Sequence, residues 1–389
     1  MPQNQQRVAR NIPLLYIASF LSNFRLNAPI LILYLQQQTG SFTAAMSLLA
    51  CLMIGASLLD IPTGALADIV GRKTIIVLGW IFGLVHLWLL AIGGSYGLLL
   101  LSMLVASAGM ALGSGANTAM LYDSLVELER ESEYKKINGR ANGLLPLALG
   151  IAAPVGSSLA AISLSLPFWM QLFPQCLGLI VTLFLIEPVY RKPDRNGIML
   201  HSLQTAKVLL GNRRLLLLLL LMALSFAVGE TVAMVSPQWY QDNIPLPAIG
   251  FAFTGVYMSS TLGFFFADKI SARFGDLPVL FISILCSLTI TIGATLLTGP
   301  AVVLFAIAAT FFYGLRWPIL DFLINKQVAS SQRATIGSFG GVLQRALAAL
   351  LALVVGMLAD RLGVVTAIQC VTLLLCAGIF SMLLLKTAR

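Results

Sequence analysis

The chain has 389 residues, of which 58% are hydrophobic and only 10% charged, and its mean hydropathy is +0.92. Soluble domains carry roughly a quarter charged residues, so this composition excludes an ordinary water-soluble protein and marks a membrane protein. The net charge of +9 invites a nucleic-acid reading, which the placement of the charges rules out below.

A membrane-spanning helix needs about 20 apolar residues, and every backbone polar group within lipid must be satisfied internally. Twelve candidate spans follow one another at roughly 12–35, 42–67, 74–93, 97–122, 141–163, 167–187, 215–239, 247–268, 278–297, 301–324, 334–359 and 363–386. Arg7 and Arg10 precede the first in the manner of a signal peptide. The run behind them is too long and lacks a small-residue cleavage site, so it reads as an uncleaved first helix.

Charges inside spans stand out, because each costs at least about 2.5–3.5 kcal/mol at a helix centre. Arg25 lies midway along the first span, within Asn23-Phe24-Arg25-Leu26-Asn27. The loop after the second span reads Gly64-Ala65-Leu66-Ala67-Asp68-Ile69-Val70-Gly71-Arg72-Lys73. Gly64 and Gly71 suit close helix approach and a tight turn. His86, in the third span, reads as a hydrogen-bonded packing residue. In the fourth span Ser114, Asn117 and Thr118, at i, i+3 and i+4, form a polar stripe on one face. The fifth carries Gly150-Ile151-Ala152-Ala153-Pro154-Val155-Gly156. Glu230 lies midway along the seventh span. Arg316 lies midway along the tenth and shares a face with Tyr313.

Asp60, Asp123 and Asp321 fall towards span ends, where water is close. Asp321 follows Arg316 by five positions, roughly 140° round a helix, so the two cannot easily pair. The five cysteines (Cys51, Cys176, Cys286, Cys370 and Cys376) lie in apolar runs without metal-ligand spacing and read as packing residues. No metal, cofactor or disulfide framework is expected.

Basic residues fall in alternate loops, among them Arg7 and Arg10; Arg72 and Lys73; Arg130, Lys135, Lys136 and Arg140; Arg191 to Arg214; Lys269 and Arg273; and Lys386 and Arg389. Only Arg361 breaks the pattern. The positive-inside rule then puts both termini in the cytoplasm, and the basic excess is topology rather than a nucleic-acid surface.

A break at about 188–214 divides the chain into an amino-terminal bundle (1–190), a cytoplasmic linker (191–213) and a carboxy-terminal bundle (214–389). In the linker Met199, Leu203, Ala206 and Leu210 recur at helical spacing, which predicts a short interfacial helix with His201 solvated beside it. The halves echo each other about 200 residues apart. Ala67-Asp68 returns as Ala267-Asp268, Leu121-Tyr122-Asp123-Ser124-Leu125 as Leu320-Asp321-Phe322-Leu323, and Lys136-Ile137-Asn138-Gly139 lies opposite Thr335-Ile336-Gly337-Ser338. A parallel duplication of six spans is expected, with any solute site near the midplane.

The pattern Gly64-x-Leu66-Ala67-Asp68-x-x-Gly71-Arg72-Lys73 resembles the loop signature of the major facilitator superfamily of transporters, and it falls where that family keeps it. The resemblance covers essentially the whole chain. It implies an all-α membrane protein of twelve helices in two pseudo-symmetric six-helix bundles. It further implies that the first, fourth, seventh and tenth spans line a central cavity, and that Asp68 accepts hydrogen bonds from the start of the eleventh helix while Arg72 and Lys73 complete a charge cluster. Asp60, Gly64, Asp68, Gly71, Arg72, Lys73 and Asp123 are therefore expected to serve in gating. The second copy of the loop is degraded, with Gly275-Asp276 in place of Gly-Arg-Lys. Two marks of drug exporters are missing or eroded: an arginine in the fourth span, and the glycine that precedes Pro154.

With that frame, Arg25, Asn117, Glu230, Tyr313 and Arg316 are the expected substrate-binding residues. Two planar guanidiniums suit a carboxylate or phosphate, so the expected solute is a small organic anion or zwitterion, carboxylate siderophores included. Glu230 and, secondarily, Asp321 are the candidates for proton coupling. A carboxyl in a low-dielectric cavity is balanced between desolvation, which favours its neutral form, and a neighbouring guanidinium, which favours its charged form. Solute arriving on that guanidinium would tip the balance and let a proton bind.

The alternative reading is a proton-driven multidrug exporter of lipophilic compounds, and a receptor that binds without flux is a third. An enzyme is not expected, since the chain has no nucleotide-binding loop, no Ser/His/Asp arrangement and no metal cluster. The expected partners are the solute, the proton and the lipid bilayer, with the chain acting as a monomer in a bacterial inner membrane.

Overall fold

The computed structural model describes residues 7–188, 211–329 and 332–387, and among them every regular element is a helix. Among the described residues twelve helices are long and apolar enough to cross a membrane. The first span is α1 (Asn11–Asn23) and α2 (Leu31–Thr39), joined by a short 3₁₀ turn at Ala28–Ile30. Spans two to six are α3 (Phe42–Val70), α4 (Arg72–Ile92), α5 (Tyr96–Glu127), α6 (Tyr134–Ile162) and α7 (Leu166–Leu183). Spans seven to eleven are α8 (Arg213–Gln241), α9 (Leu246–Phe274), α10 (Asp276–Ala294), α11 (Ala301–Asn325) and α12 (Arg333–Leu362), and the last is α13 (Val364–Leu373) with α14 (Leu375–Thr387). The interfacial helix expected over Met199–Leu210, with His201, lies outside the described residues, as do the side chains of Gly64, Asp68 and Ser114.

Two compact units share the chain. The first comprises Met1–Gly40, Cys51–Lys192 and Leu246–Thr254; the second comprises Ser41–Ala50, Pro193–Pro245 and Gly255–Arg389. In these units the start of α3 groups with the second and the start of α9 with the first.

Inside the first unit α1 packs on α6 and α7, and α4 packs on α5 and α7. Inside the second, α8 packs on α12, α13 and α14, and α10 packs on α11 and α14. The two lists are the same scheme six spans apart, which is the pattern a duplicated six-helix unit leaves.

Lipid tails are as apolar as leucine, so helices in a membrane associate through close packing of small residues. Both units use paired glycines for this. A Cβ on Gly79 would lie 3.3 Å from the Gly109 carbonyl, and one on Gly109 would lie 3.2 Å from the Gly79 carbonyl, so α4 and α5 meet backbone to backbone. In the second unit a Cβ on Gly263 would fall 2.1 Å from the Phe311 carbonyl, and one on Gly314 2.0 Å from the Ser260 carbonyl, so α9 and α11 meet still more closely.

Prolines inside these helices free carbonyl groups that something else must satisfy. Pro154 has no N–H to offer Gly150 one turn earlier. The Thr254 hydroxyl, from the first turns of α9, donates to that Gly150 carbonyl at 2.7 Å. One turn on, Ser157 Oγ accepts from the Gly250 amide at 3.0 Å and donates to the Pro247 carbonyl at 2.9 Å. The fifth-span motif is therefore a docking strip for the start of α9 within the first unit.

Candidate functional site

In the second unit, the residues around Arg316 form the most unusual polar group. Arg316 is only 3% exposed. Its Nη2 donates to Ser287 Oγ of α10 at 3.1 Å, while Nε and Nη1 have no hydrogen-bond partner. Its guanidinium carbon lies 5.7 Å from the centre of the Tyr313 ring, one turn back on α11. A neutral hydroxyl and an aromatic face are modest compensation for a buried cation, because an unmade hydrogen bond to a charged group costs more than a neutral one.

Packing against α8 and α9 holds this stretch of α11 in place. The Tyr313 ring lies over Gly229 of α8, where a Cβ would come 2.5 Å from the ring. Gly314 sits against the Ser260 carbonyl of α9. Trp317 packs on Phe226 of α8, with ring centres 6.1 Å apart. Glu230, next to Gly229, is half-buried, and both it and Arg316 act electrostatically on Tyr313. None of the Arg316 nitrogens bonds to Glu230. Glu230, Tyr313 and Arg316 are thus brought together, whereas Asp321 is not: it is exposed, and its backbone carbonyl accepts from Asn325 Nδ2 at 3.0 Å.

In the first unit, Arg25 stands in a break rather than on a continuous helix. The helix stops at Asn23, with Phe24 at φ −79° and ψ 79°. Pro29 lies in the first turn that follows and has no N–H to offer the Arg25 carbonyl four residues earlier, so an α-helical ladder cannot run through Arg25. Arg25 is exposed, and its Nε donates to the Ser22 carbonyl at 3.2 Å. The backbone groups freed by the break are taken by Gln171 of α7, which is 3% exposed. The Leu26 amide donates to Gln171 Oε1 at 2.6 Å, and Gln171 Nε2 donates to the Phe24 carbonyl at 2.8 Å. On another side a Cβ on Gly156 of α6 would fall 1.8 Å from the Leu26 carbonyl oxygen, so no larger residue fits there. Asn117 and Thr118 are exposed on α5, and Asn117 Nδ2 donates to the Gly113 carbonyl of its own helix at 2.9 Å. His86 Nδ1 lies 2.8 Å from Ser102 Oγ and 3.0 Å from the Ser102 carbonyl, tying α4 to α5.

The loop signature is organised by an acid that its own motif does not contain. Gly71 has φ +103° and precedes α4. The Glu187 carboxylate, from just after α7, accepts from the Arg72 amide at 2.7 Å and from the Lys73 amide at 2.7 Å. A Cβ on Gly71 would press on that carboxyl group at 3.2 Å, so glycine is required there both for its φ and for its size. The carboxylate meets the orphan N–H groups and positive dipole end of α4. The Arg72 side chain forms an ion pair with Asp123 of α5, both mostly buried. Asp60 is half-buried on α3.

Neither Gln171, Ser287 nor Glu187 announces itself in the sequence, and nor does Asp360. In the second unit Asp360, near the end of α12, accepts from Ser41 Oγ at 2.6 Å, the Phe42 amide at 2.7 Å and the Thr43 amide at 2.8 Å, capping α3. Among the described residues no group of three or more His, Cys, Asp or Glu could hold a metal ion.

A helical membrane protein built from two similarly wired sets of six spans has the duplicated architecture common among secondary transporters. Over residues 14–353 the chain matches the Major Facilitator Superfamily, and it belongs to that family. It is a multi-pass membrane transporter of small molecules, not an enzyme. No curated protein sequence matches it.

Three solved structures illustrate the likeness in fold. A variant of the nucleoside transporter NupG is 17% identical with a TM-score of 0.81, covering 97% of this chain and 99% of its own. A bacterial homologue of the human lysosomal transporter Spinster, inward-facing and unoccupied, is 14% identical with a TM-score of 0.79, covering 100% and 98%. A D-xylose–proton symporter is 14% identical with a TM-score of 0.73, covering 96% of each chain. Their differing solutes show that this fold does not by itself select the cargo.

Proposed function

We propose that this transporter moves a small organic anion or zwitterion, such as a carboxylate or carboxylate siderophore, by alternating access coupled to protons. The observation that carries the reading is the Arg316 guanidinium, buried with Nε and Nη1 unpartnered. Two N–H groups of one guanidinium match the two oxygens of a carboxylate. Tyr313 adds a hydroxyl, and Glu230 supplies a carboxyl that can exchange a proton as the nearby charge changes. Arg25 and Asn117 of the first unit are proposed as further solute contacts, and Asp321 as a second proton-coupling group. Asp60, Gly64, Asp68, Gly71, Arg72, Lys73 and Asp123 are proposed to act in gating. The alternating basic loops support cytoplasmic termini, and a monomer in a bacterial inner membrane is part of the same proposal.

A thermal-shift screen of purified protein against organic anions and lipophilic cations tests the solute class, with Arg25→Gln and Arg316→Gln alongside. Stabilisation by a carboxylate that disappears in either variant supports the reading. Stabilisation by cations alone, unchanged in both variants, would replace it with the export of lipophilic drugs. Once a solute is in hand, Glu230→Gln should abolish its pH-driven uptake into proteoliposomes and leave solute exchange intact. Unchanged pH-driven uptake would remove Glu230 from the coupling step.

A further inference from the structure

A break in a membrane helix exposes backbone groups that lipid cannot satisfy, so something in the protein must pair them. In the first span, one donor (Leu26 N–H) and one acceptor (the Phe24 carbonyl) are answered by the two ends of a single side-chain amide, that of Gln171. The match is specific in chemistry. A primary amide offers an acceptor and a donor side by side, whereas methionine offers no donor and only a weak acceptor, and a carboxylate only acceptors. Gln171 is buried, it comes from a different helix, and it grips the residues on both sides of Arg25.

We infer that Gln171 is a positioning residue: its amide fixes the geometry of the broken first span and thereby sets where the Arg25 side chain stands. The inference rests on the proposal that Arg25 meets solute only for its functional meaning, since the clamp itself is a matter of backbone geometry. Gly156 serves the same end by letting α6 lie against the Leu26 carbonyl. The grip leaves the break well defined without a helical hydrogen-bond ladder across Phe24–Asn27. A guanidinium at this point can therefore be held in place by a side chain 146 positions further along the chain.

The test uses Gln171→Glu and Gln171→Met in the full-length protein. A protonated glutamic acid can donate to the Phe24 carbonyl and accept from Leu26, as the amide does, while its carboxylate cannot donate. The protonated form is the one favoured in the folded variant, so stability is present at acid pH and lost as pH rises through the folded-state titration. At about pH 4, below the usual glutamate pKa, Gln171→Glu should match the parent in melting temperature and in hydrogen-exchange protection of the Leu26 amide. By about pH 8 it should fall roughly 2–5 °C below the parent and lose that protection. Gln171→Met should lose protection at both pH values.

A second readout follows the position of residue 25. The rate at which N-ethylmaleimide alkylates an Arg25→Cys thiol should shift several-fold when Gln171→Met is added. A Gln171→Glu variant that tracks the parent at every pH, or a thiol whose rate ignores Gln171, would overturn the inference. Neither readout uses a solute, so a failed anion screen would count against the proposed function and leave the clamp standing on its own result.

Discussion

Arg316→Met separates two meanings of a buried arginine. In the folded protein, two N–H-bearing nitrogens without partners cost about 1–3 kcal/mol each. The Ser287 bond returns about 1.5–3 kcal/mol, and the Tyr313 ring about 0.5–2 kcal/mol. The midpoints, about 4 kcal/mol of cost against about 3.5 kcal/mol returned, nearly cancel, before the apolar methionine is credited for filling the same space beside Ser287. The variant should therefore melt at or above the temperature of the parent protein while its anion-induced stabilisation disappears. Were Arg316 the structural half of an ion pair, its removal would strand a buried charge and cost about 3–5 kcal/mol. Differential scanning fluorimetry in one detergent, with Ser287→Ala beside it, reads the difference directly. A melting point lowered by many degrees in Arg316→Met would refute the reasoning and make Arg316 a structural residue.

Two further predictions concern packing and capping. Glu187→Ala should uncap α4 at a cost of about 1–2 kcal/mol; amide exchange at Arg72 and Lys73 should rise roughly tenfold for about 1.4 kcal/mol, and unchanged protection there would show that the carboxylate is dispensable. Gly314→Val should lower the melting temperature by the equivalent of about 1–3 kcal/mol or more, since its Cβ would run into the Ser260 carbonyl. Gly115→Ala, on the open side of α5, should be neutral or stabilising by up to about 1 kcal/mol. Equal melting temperatures for the two glycine variants would show that the α9–α11 approach is looser than described.

Helical class and the number of spans were legible in the sequence because lipid imposes a length and a polarity on each segment, and apolar runs of that length have few other uses. Arg25, Glu230 and Arg316 were legible for the same reason: a charge in such a run is expensive. The surroundings of these charges were hidden. Gln171 and Ser287 are neutral residues within apolar stretches, and what makes them matter is a partner on another helix. The interruption around Arg25 left one usable signal, Pro29, which cannot bond the Arg25 carbonyl four residues earlier and whose ring crowds it. The grouping of Leu246–Thr254 with the first unit depends on contacts such as Thr254 with Gly150, which no local pattern encodes.

The cap on α4 has a consequence for how the protein is made. Its acid, Glu187, is translated 115 residues after Arg72. At a synthesis rate of about 5–20 residues per second, the third span would wait roughly 6–23 s for its cap. The corresponding helix of the second unit, α10, carries an acid of its own in the first turn, Asp276, directly after a glycine at φ +85°. The two copies of one ancestral loop thus differ in their dependence on time: the first closes only when its sixth span has emerged, and the second has its charge in hand as the helix begins.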